Sequence, residues 1–171
     1  HVVICDLGED AIILYRINNN NNTQSGQIIL EEVNLQHFRP GAGPRHMLFN
    51  GNGIYGYVVG ELDCTLNILK YDEKNEKFSV IQRVSTLPDS FIHWNSCAAI
   101  RISSDNRFVY ISNRGHNSIA VFELTNEGSH ATLIQVIHTH HDCPRDFDID
   151  PSGQFVICGH QSSDFLTLFR R

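Results

Sequence analysis

The amino-acid sequence predicts an all-β fold, a β-propeller built from four-stranded antiparallel blades. A segment of about ten residues recurs along the chain at intervals of about 50 residues. Its equivalent positions in the 171-residue sequence are His1, Tyr55, Phe108 and Phe155. No stretch has the 3.6-residue apolar period of an amphipathic helix. Because propeller blades are about 40–50 residues long, this period favours a propeller over a β-solenoid.

Each predicted inner strand is apolar and ends in a turn. The strands cover residues 45–49, 98–102 and 146–149, and the turns cover residues 50–53, 103–106 and 150–153. These turns are rich in Gly, Asn, Asp, Ser and Pro, the residue types that tolerate tight or left-handed backbone geometry. A second strand follows every turn, which starts a four-stranded meander.

The remaining strands complete the predicted blades. Alternating apolar residues indicate third strands at 65–69 and 118–122 and outer strands at 27–35, 78–84 and 132–137. The predicted blade segments are residues 1–38, 44–87, 97–141 and 144–171. The first lacks its inner strand and the last its outer strand, so the chain should hold about three and a half blades. The Asn-rich residues 18–22 are expected to form a peripheral loop.

The composition limits which classes of partner the protein can bind and which cellular compartment it occupies. The net charge of −6 argues against nucleic acid or an anionic membrane surface as a partner. No apolar run reaches the length of about 18 residues that a membrane span requires. Five widely spaced cysteines without a Cys-x-x-Cys motif favour reduced thiols in a cytoplasmic protein. Since strand-like patterns begin at His1 and run to Arg171, we interpret the sequence as a piece of a longer protein.

Two repeat positions carry polar residues that packing alone does not explain. The position that begins each inner strand is occupied by Arg45, Ala98 and Arg145. The position that ends each second strand changes from Leu7 to Glu61, Arg114 and Gln161. A position that varies in this way does not serve a shared core. We therefore expect a site at one mouth of the central channel.

The hairpin around residues 50–53 predicts how this site is built. Residue 45 should lie opposite residue 58, which brings Glu61 within about 10 Å of Arg45 along the extended backbone. Strand alternation places Arg45 on the same face as Met47 and Phe49, and His46 on the opposite face. The expected site therefore combines Arg45 and Glu61 with arginines of the following blades.

Four motifs in order closely resemble the lactonase family of seven-bladed β-propellers, which contains propeller-type 6-phosphogluconolactonases and fungal 3-carboxy-cis,cis-muconate cyclases. The resemblance covers essentially the whole chain. It is carried by the segments GAGPRH at 41–46, YVVGEL at 57–62, SNRGHNSIAVF at 112–122 and PRDF at 144–147. The segment DLGED at 6–10 is similar to a blade segment of the same family.

The resemblance implies a catalytic set of Arg45, Glu61 and Arg114. We further expect His46 and Arg145 to bind substrate, and we expect no metal or cofactor. The resemblance also implies a histidine on an inner strand upstream of His1. Arginine suits an anionic substrate or a developing oxyanion because it donates bidentate hydrogen bonds. Glu61 is either a general base or an orienting ion-pair partner.

Three functions follow as hypotheses. The first is a hydrolase that opens a sugar lactone, 6-phosphogluconolactone above all. The second is a cyclase acting on a muconate-type dicarboxylate, and the third is a binding scaffold without catalysis. A further cluster contains potential metal-ligand types, with His138 and His140 on one strand face, but its place in a connecting segment favours structural or surface histidines over a metal site.

Overall fold

A computed structural model describes residues 1–19 and 28–171 of the chain. Within these residues, fourteen strands form four antiparallel sheets, and the one helix is a short 3-10 turn at Asn126–Gly128. The first sheet is β1 (Val2–Asp6), β2 (Ala11–Asn19) and β3 (Ile28–His37). The second is β4 (Pro44–Phe49), β5 (Tyr55–Gly60), β6 (Thr65–Asp72) and β7 (Lys77–Ser85). The third is β8 (Ser96–Ile102), β9 (Phe108–Arg114), β10 (Ser118–Thr125) and β11 (His130–His138). The fourth is β12 (Pro144–Ile149), β13 (Phe155–His160) and β14 (Leu166–Arg170).

The sheets stack face to face because alternate side chains of each middle strand point to opposite neighbours. In β5, Tyr57 and Val59 pack against the third sheet, whereas Val58 packs against the first. In β9, Ile111 faces the second sheet and Tyr110 faces the fourth. The two middle sheets are therefore apolar on both faces, which accounts for their near-continuous hydrophobic strands.

This architecture confirms the predicted fold class. The sheets contain three, four, four and three strands in chain order, as expected for a partial propeller. The inner strands end at Phe49, Ile102 and Ile149, the positions that the repeat makes equivalent. No helix among the described residues is long and apolar enough to cross a membrane.

Two details of the first sheet differ from the sequence-based prediction. The predicted loop at residues 18–22 falls partly outside the described residues, and Asn18 and Asn19 instead extend β2. The outer strand predicted at residues 27–35 is β3, which runs to His37, and Gln27 lies outside the described residues.

The predicted register of the hairpin between β4 and β5 is wrong by two residues. Val58 pairs with Met47 rather than with residue 45. The longer turn causes the difference, since the Asn50 N–H donates to the Tyr55 carbonyl at 3.0 Å. A β-bulge at Arg45, between the pairs Pro44–Gly60 and His46–Val59, moves the register back by one residue.

Candidate functional site

Two arginines from successive sheets converge on one glutamate at the end where β4 begins. The Nε atom of Arg45 lies 3.1 Å from Oε2 of Glu61 in an ion pair. The Nη2 atom of Arg114 donates a hydrogen bond of 2.5 Å to the other carboxylate oxygen, Oε1. The structure thus brings together the three residues that the sequence singled out as catalytic, and Glu61 is shared by both arginines.

Backbone carbonyls of the third sheet accept further hydrogen bonds from both guanidinium groups. Arg45 donates from Nη1 to the Ala98 carbonyl at 3.0 Å, and Arg114 donates from Nη2 to the Cys97 carbonyl at 2.8 Å. A β-bulge between Cys97 and Ile100 interrupts the pairing of β8 with β9 around these residues. The sequence carries no signal for such acceptors, because every residue type has a carbonyl.

The three charged side chains are largely withdrawn from solvent. Those of Arg45, Glu61 and Arg114 are 18%, 19% and 12% exposed. Burial lowers the pKa of the Arg45 guanidinium, and the charge of Glu61 opposes this shift while those of Arg114 and Arg145 add to it. An ion pair at this depth holds its partners more rigidly than one at the surface, since water screens it less.

His46 lies beside Arg45 rather than pointing away from it, so the predicted opposite orientation is wrong. The Nη1 atom of Arg45 is 2.9 Å from Nε2 and 3.1 Å from Nδ1 of His46. The bulge at Arg45 is the physical reason, because an unpaired residue breaks the strict alternation of side chains along a strand. Burial lowers the pKa of His46, and the charges of Arg45 and Arg101 lower it further. The imidazole is therefore neutral near pH 7.

Arg145 occupies the equivalent bulge in the fourth sheet but has different surroundings. Its Nη1 atom donates a hydrogen bond of 2.7 Å to Oε1 of Gln161. Gln161 follows β13 just as Glu61 follows β5. Arg145 is exposed, and the structure does not bring it into the ion-pair cluster. The repeat frame identified the position of Gln161, although its residue type alone did not mark it as a site residue.

A cleft of about 610 Å³ joins the two hairpins. Arg45 and His46 line it on one side, and Arg145, Gln161 and His160 line it on the other. Of the three residues in the ion-pair cluster, Arg45 lines this cleft, whereas Glu61 and Arg114 are not among the described residues that do.

The histidines of the predicted second cluster are separated from one another. His138 ends β11 and stacks on His116 with ring centroids 4.6 Å apart. His140 lies beyond the strand at a φ of 64°, so the two do not share a strand face. His141 stacks on Phe165 at 4.2 Å. No group of three or more potential metal ligands occurs within residues 1–19 and 28–171.

All 171 residues match the family model described as lactonase, 7-bladed beta-propeller. The chain therefore belongs to this family of propeller proteins, which confirms the resemblance found in the sequence. It is 37% identical over 171 residues to a protein of Bacillus subtilis named 6-phosphogluconolactonase, and this match covers the whole chain and 47% of the relative.

Solved structures agree with this assignment. A protein from Lactobacillus plantarum superposes with a TM-score of 0.88 at 38% identity, over 100% of this chain and 50% of that one. The periplasmic gluconolactonase of Pseudomonas aeruginosa superposes with a TM-score of 0.89 at 27% identity, over 99% of this chain and 46% of that one. The chain thus spans about half the length of the relatives that it matches.

Proposed function

We propose that the full-length protein hydrolyses a sugar lactone, with 6-phosphogluconolactone as the substrate, at the mouth of the propeller channel. The observation that carries this proposal is the pair of guanidinium groups held by one carboxylate beside an open cleft. Family membership and the names of the Bacillus and Pseudomonas relatives support the same reaction class. The cleft is large enough for a monosaccharide, because pockets for small ligands have volumes of about 300–1,000 Å³.

In this proposal the arginines stabilise the charge that the reaction creates. Water adds to the lactone carbonyl, its proton passes to a base, and the carbonyl oxygen becomes an oxyanion in the tetrahedral intermediate. Collapse of this intermediate breaks the ring ester bond, and the ring oxygen takes up a proton to give the hydroxy acid. Arg45 faces the cleft and donates to the oxyanion, since fixed donors aimed at developing charge stabilise the transition state.

We assign Glu61 an orienting role rather than that of the general base. Both of its oxygens already contact guanidinium groups, at 3.1 Å and 2.5 Å. A base must also reach the attacking water. Arg45 lines the cleft, whereas Glu61 and Arg114 are not among the described residues that do. Together they fix the guanidinium plane of Arg45, with Arg114 adding positive charge to the catalytic set.

His46 and Arg145 are proposed to contact the substrate from the two sides of the cleft. A neutral imidazole has one acceptor nitrogen, which receives the Arg45 N–H, so the other nitrogen of His46 can donate a hydrogen bond to a sugar hydroxyl or to water. Arg145 presents an exposed guanidinium that suits the phosphate group of a phosphorylated lactone. This assignment predicts that the phosphate adds to affinity mainly through Arg145.

We further propose a cytoplasmic location. All five cysteines are free thiols in the structure. Thiols persist in reducing compartments, which supports this placement. Labelling of intact cells with a membrane-impermeant maleimide should leave the thiols unmodified, whereas labelling before lysis would contradict the proposal.

Hydrolysis of 6-phosphogluconolactone and of glucono-1,5-lactone by the full-length protein tests the function. We expect Glu61→Gln to lower kcat/KM for the phosphorylated lactone by about 100-fold, because Arg45 loses its anchoring charge. Arg107→Ala is the matched control. Arg107 precedes β9 at the end opposite Arg114, where its guanidinium lies 5.2 Å from the centre of the Phe108 ring and 3.9 Å from Glu123. Its loss should therefore change kcat/KM by less than about twofold.

The lactone assay, with a carboxymuconate substrate added, separates the hydrolase from the scaffold and the cyclase. A wild-type rate equal to the uncatalysed rate with both lactones would contradict the proposal and favour the scaffold. Conversion of a carboxymuconate substrate without lactone hydrolysis would favour the cyclase.

A further inference from the structure

Asp10 connects the first sheet to the segment that carries Arg45. It is the last residue before β2, and its side chain reaches the loop that leads into β4. Its Oδ2 atom accepts a hydrogen bond of 2.7 Å from the Gly41 N–H. Its Oδ1 atom accepts another of 2.7 Å from the Gly43 N–H. One carboxylate therefore holds two backbone amides of the same short loop.

Glycine suits this loop because two of its residues adopt a positive φ. Gly41 and Gly43 have φ angles of +80° and +58°, in the left-handed region that side chains disfavour. A Cβ on Gly43 would come within 2.6 Å of the Leu62 side chain. The chain is thus tightly bent two residues before Arg45, and its amide groups need a fixed acceptor in that geometry.

The other side of the loop holds the glutamate of the candidate site. The Glu61 N–H donates to the Gly43 carbonyl at 2.8 Å, and the Leu62 N–H donates to the Ala42 carbonyl at 3.2 Å. The Asp10 carboxylate, the glycine loop and the backbone of Glu61 therefore form one continuous hydrogen-bonded chain. Arg45 lies two residues after Gly43 in the chain.

We propose that Asp10 is a positioning residue for lactone hydrolysis, which sets the placement of Arg45 and Glu61 through the loop of residues 41–43. This inference rests on the proposed function of the full-length protein. Asp10 lies on a different sheet from both residues and acts on them only through backbone groups. It accordingly joins the first blade to a site whose side chains come from the second and third.

The repeat shows that Asp10 differs from its equivalents. The residue before the third strand is Asp10, Cys64 or Asn117 in the first three sheets, and each has a positive φ, of 50°, 55° and 53°. Asn117 also binds the segment that leads into the next inner strand, accepting from the Cys143 N–H at 2.9 Å. Of the three, Asp10 alone offers a carboxylate, whose two oxygens accept charge-assisted hydrogen bonds. The amides of Gly43 and Gly41 lower the pKa of Asp10, which keeps it ionised.

Two variants of the full-length protein test this role without backbone strain. Asp10→Asn and Asp10→Gly both tolerate the left-handed conformation at this position. Asparagine keeps one acceptor but presents an N–H₂ group to the second amide, and glycine removes both acceptors. Asp72→Asn is the matched control, because Oδ1 of Asp72 also accepts two backbone N–H groups, from Lys74 at 3.1 Å and Asn75 at 3.2 Å, in a turn between β6 and β7.

We expect both Asp10 variants to lower kcat for 6-phosphogluconolactone by about 10-fold to 100-fold well below the unfolding temperature, since small displacements of reacting groups are costly. KM should change by less than about threefold, and Asp72→Asn should leave kcat unchanged. In hydrogen exchange, amides of residues 41–45 and 61–62 should exchange faster in the Asp10 variants only. An unchanged kcat in both Asp10 variants would overturn the inference.

Hydrogen exchange also separates this inference from the proposed function. If the wild-type protein does not hydrolyse any lactone, the proposed function is wrong, and so is the positioning role of Asp10 in that reaction. If the wild-type protein is active but exchange at residues 41–45 and 61–62 is unaffected by Asp10→Gly, Asp10 does not position the site, and the proposed function stands without it.

Discussion

The hairpins of the second and fourth sheets place the same pair of repeat positions in different environments. In each, an arginine lies at a β-bulge and contacts the residue that follows the second strand. In the second sheet the pair is Arg45 and Glu61, both mostly buried, with Arg114 of the next sheet on the same carboxylate. In the fourth sheet the pair is Arg145 and Gln161, and both residues are exposed. One hydrogen bond joins them, from the Arg145 guanidinium to the neutral amide oxygen of Gln161.

The same hairpin geometry thus holds an arginine in two different environments. In both blades the bulge and the hairpin bring an arginine to the end of the sheet where the inner strand begins. In the second sheet the carboxylate also pairs with an arginine of the following sheet, and the three side chains form one charge cluster. In the fourth sheet the amide of Gln161 is a neutral acceptor, so its contact with Arg145 is the weaker of the two.

The largest expected effect comes from removing each arginine in turn. Arg45→Ala should lower kcat of the full-length protein for 6-phosphogluconolactone by about 100-fold to 1,000-fold, because an oxyanion donor is lost. Arg145→Ala should leave kcat nearly unchanged and raise KM about tenfold, as expected for the loss of one charge-assisted contact to substrate. Steady-state kinetics measures both. Equal losses of kcat in the two variants would contradict the division of roles between the hairpins.

A smaller effect should follow from pH, through His46, which follows Arg45 in the second hairpin where Asp146 follows Arg145 in the fourth. The folded-state pKa of His46 lies below its unfolded value of about 6.5. Between these two values the unfolded chain binds more protons, so stability falls as pH drops below about 6.5 and is fully present above it. Burial lowers the pKa values of His116 and His160 as well, and the same sign applies to them.

Thermal unfolding between pH 5 and pH 8 measures this dependence. His46→Gln should reduce the slope of the unfolding temperature against pH without abolishing it, because His116 and His160 still titrate. A slope identical to that of the wild type would show that His46 has the same pKa in the folded and unfolded chain.

The smallest effect is expected when the fourth hairpin is made like the second. Gln161→Glu should give Arg145 an ion-pair partner and change the free energy of unfolding by about 0.2–1 kcal/mol at most, since the pair is exposed. The added negative charge should raise KM for 6-phosphogluconolactone about threefold. Urea unfolding and steady-state kinetics measure the two quantities. A lower KM would show that the phosphate does not bind near Arg145.

Sequence patterns predicted much of the fold because blades repeat. Equivalence of Phe49, Ile102 and Ile149 located the ends of the inner strands, and apolar alternation located the remaining strands. The same repeat frame selected Glu61 and Arg114 as positions that do not serve the core. These predictions needed only local periodicity and the comparison of one blade with the next.

Prediction failed where a local irregularity or a backbone group decides the geometry. The longer turn shifted the register of the hairpin, and the bulge at Arg45 turned His46 toward Arg45. A bulge inserts one residue without leaving a distinctive sequence signal here. The carbonyls of Cys97 and Ala98 were missed for a similar reason, because acceptors on the backbone do not depend on residue type.

By itself, the sequence determined the all-β class, the order of strands in each blade and the repeat positions at which charged residues replace core residues. Only the tertiary structure decided that Arg45 and Arg114 share Glu61, and that Asp10 binds the loop preceding Arg45. The physical reason is distance along the chain. Side-chain alternation is a property of neighbouring residues, whereas Glu61 and Arg114 meet only because one blade packs against the next.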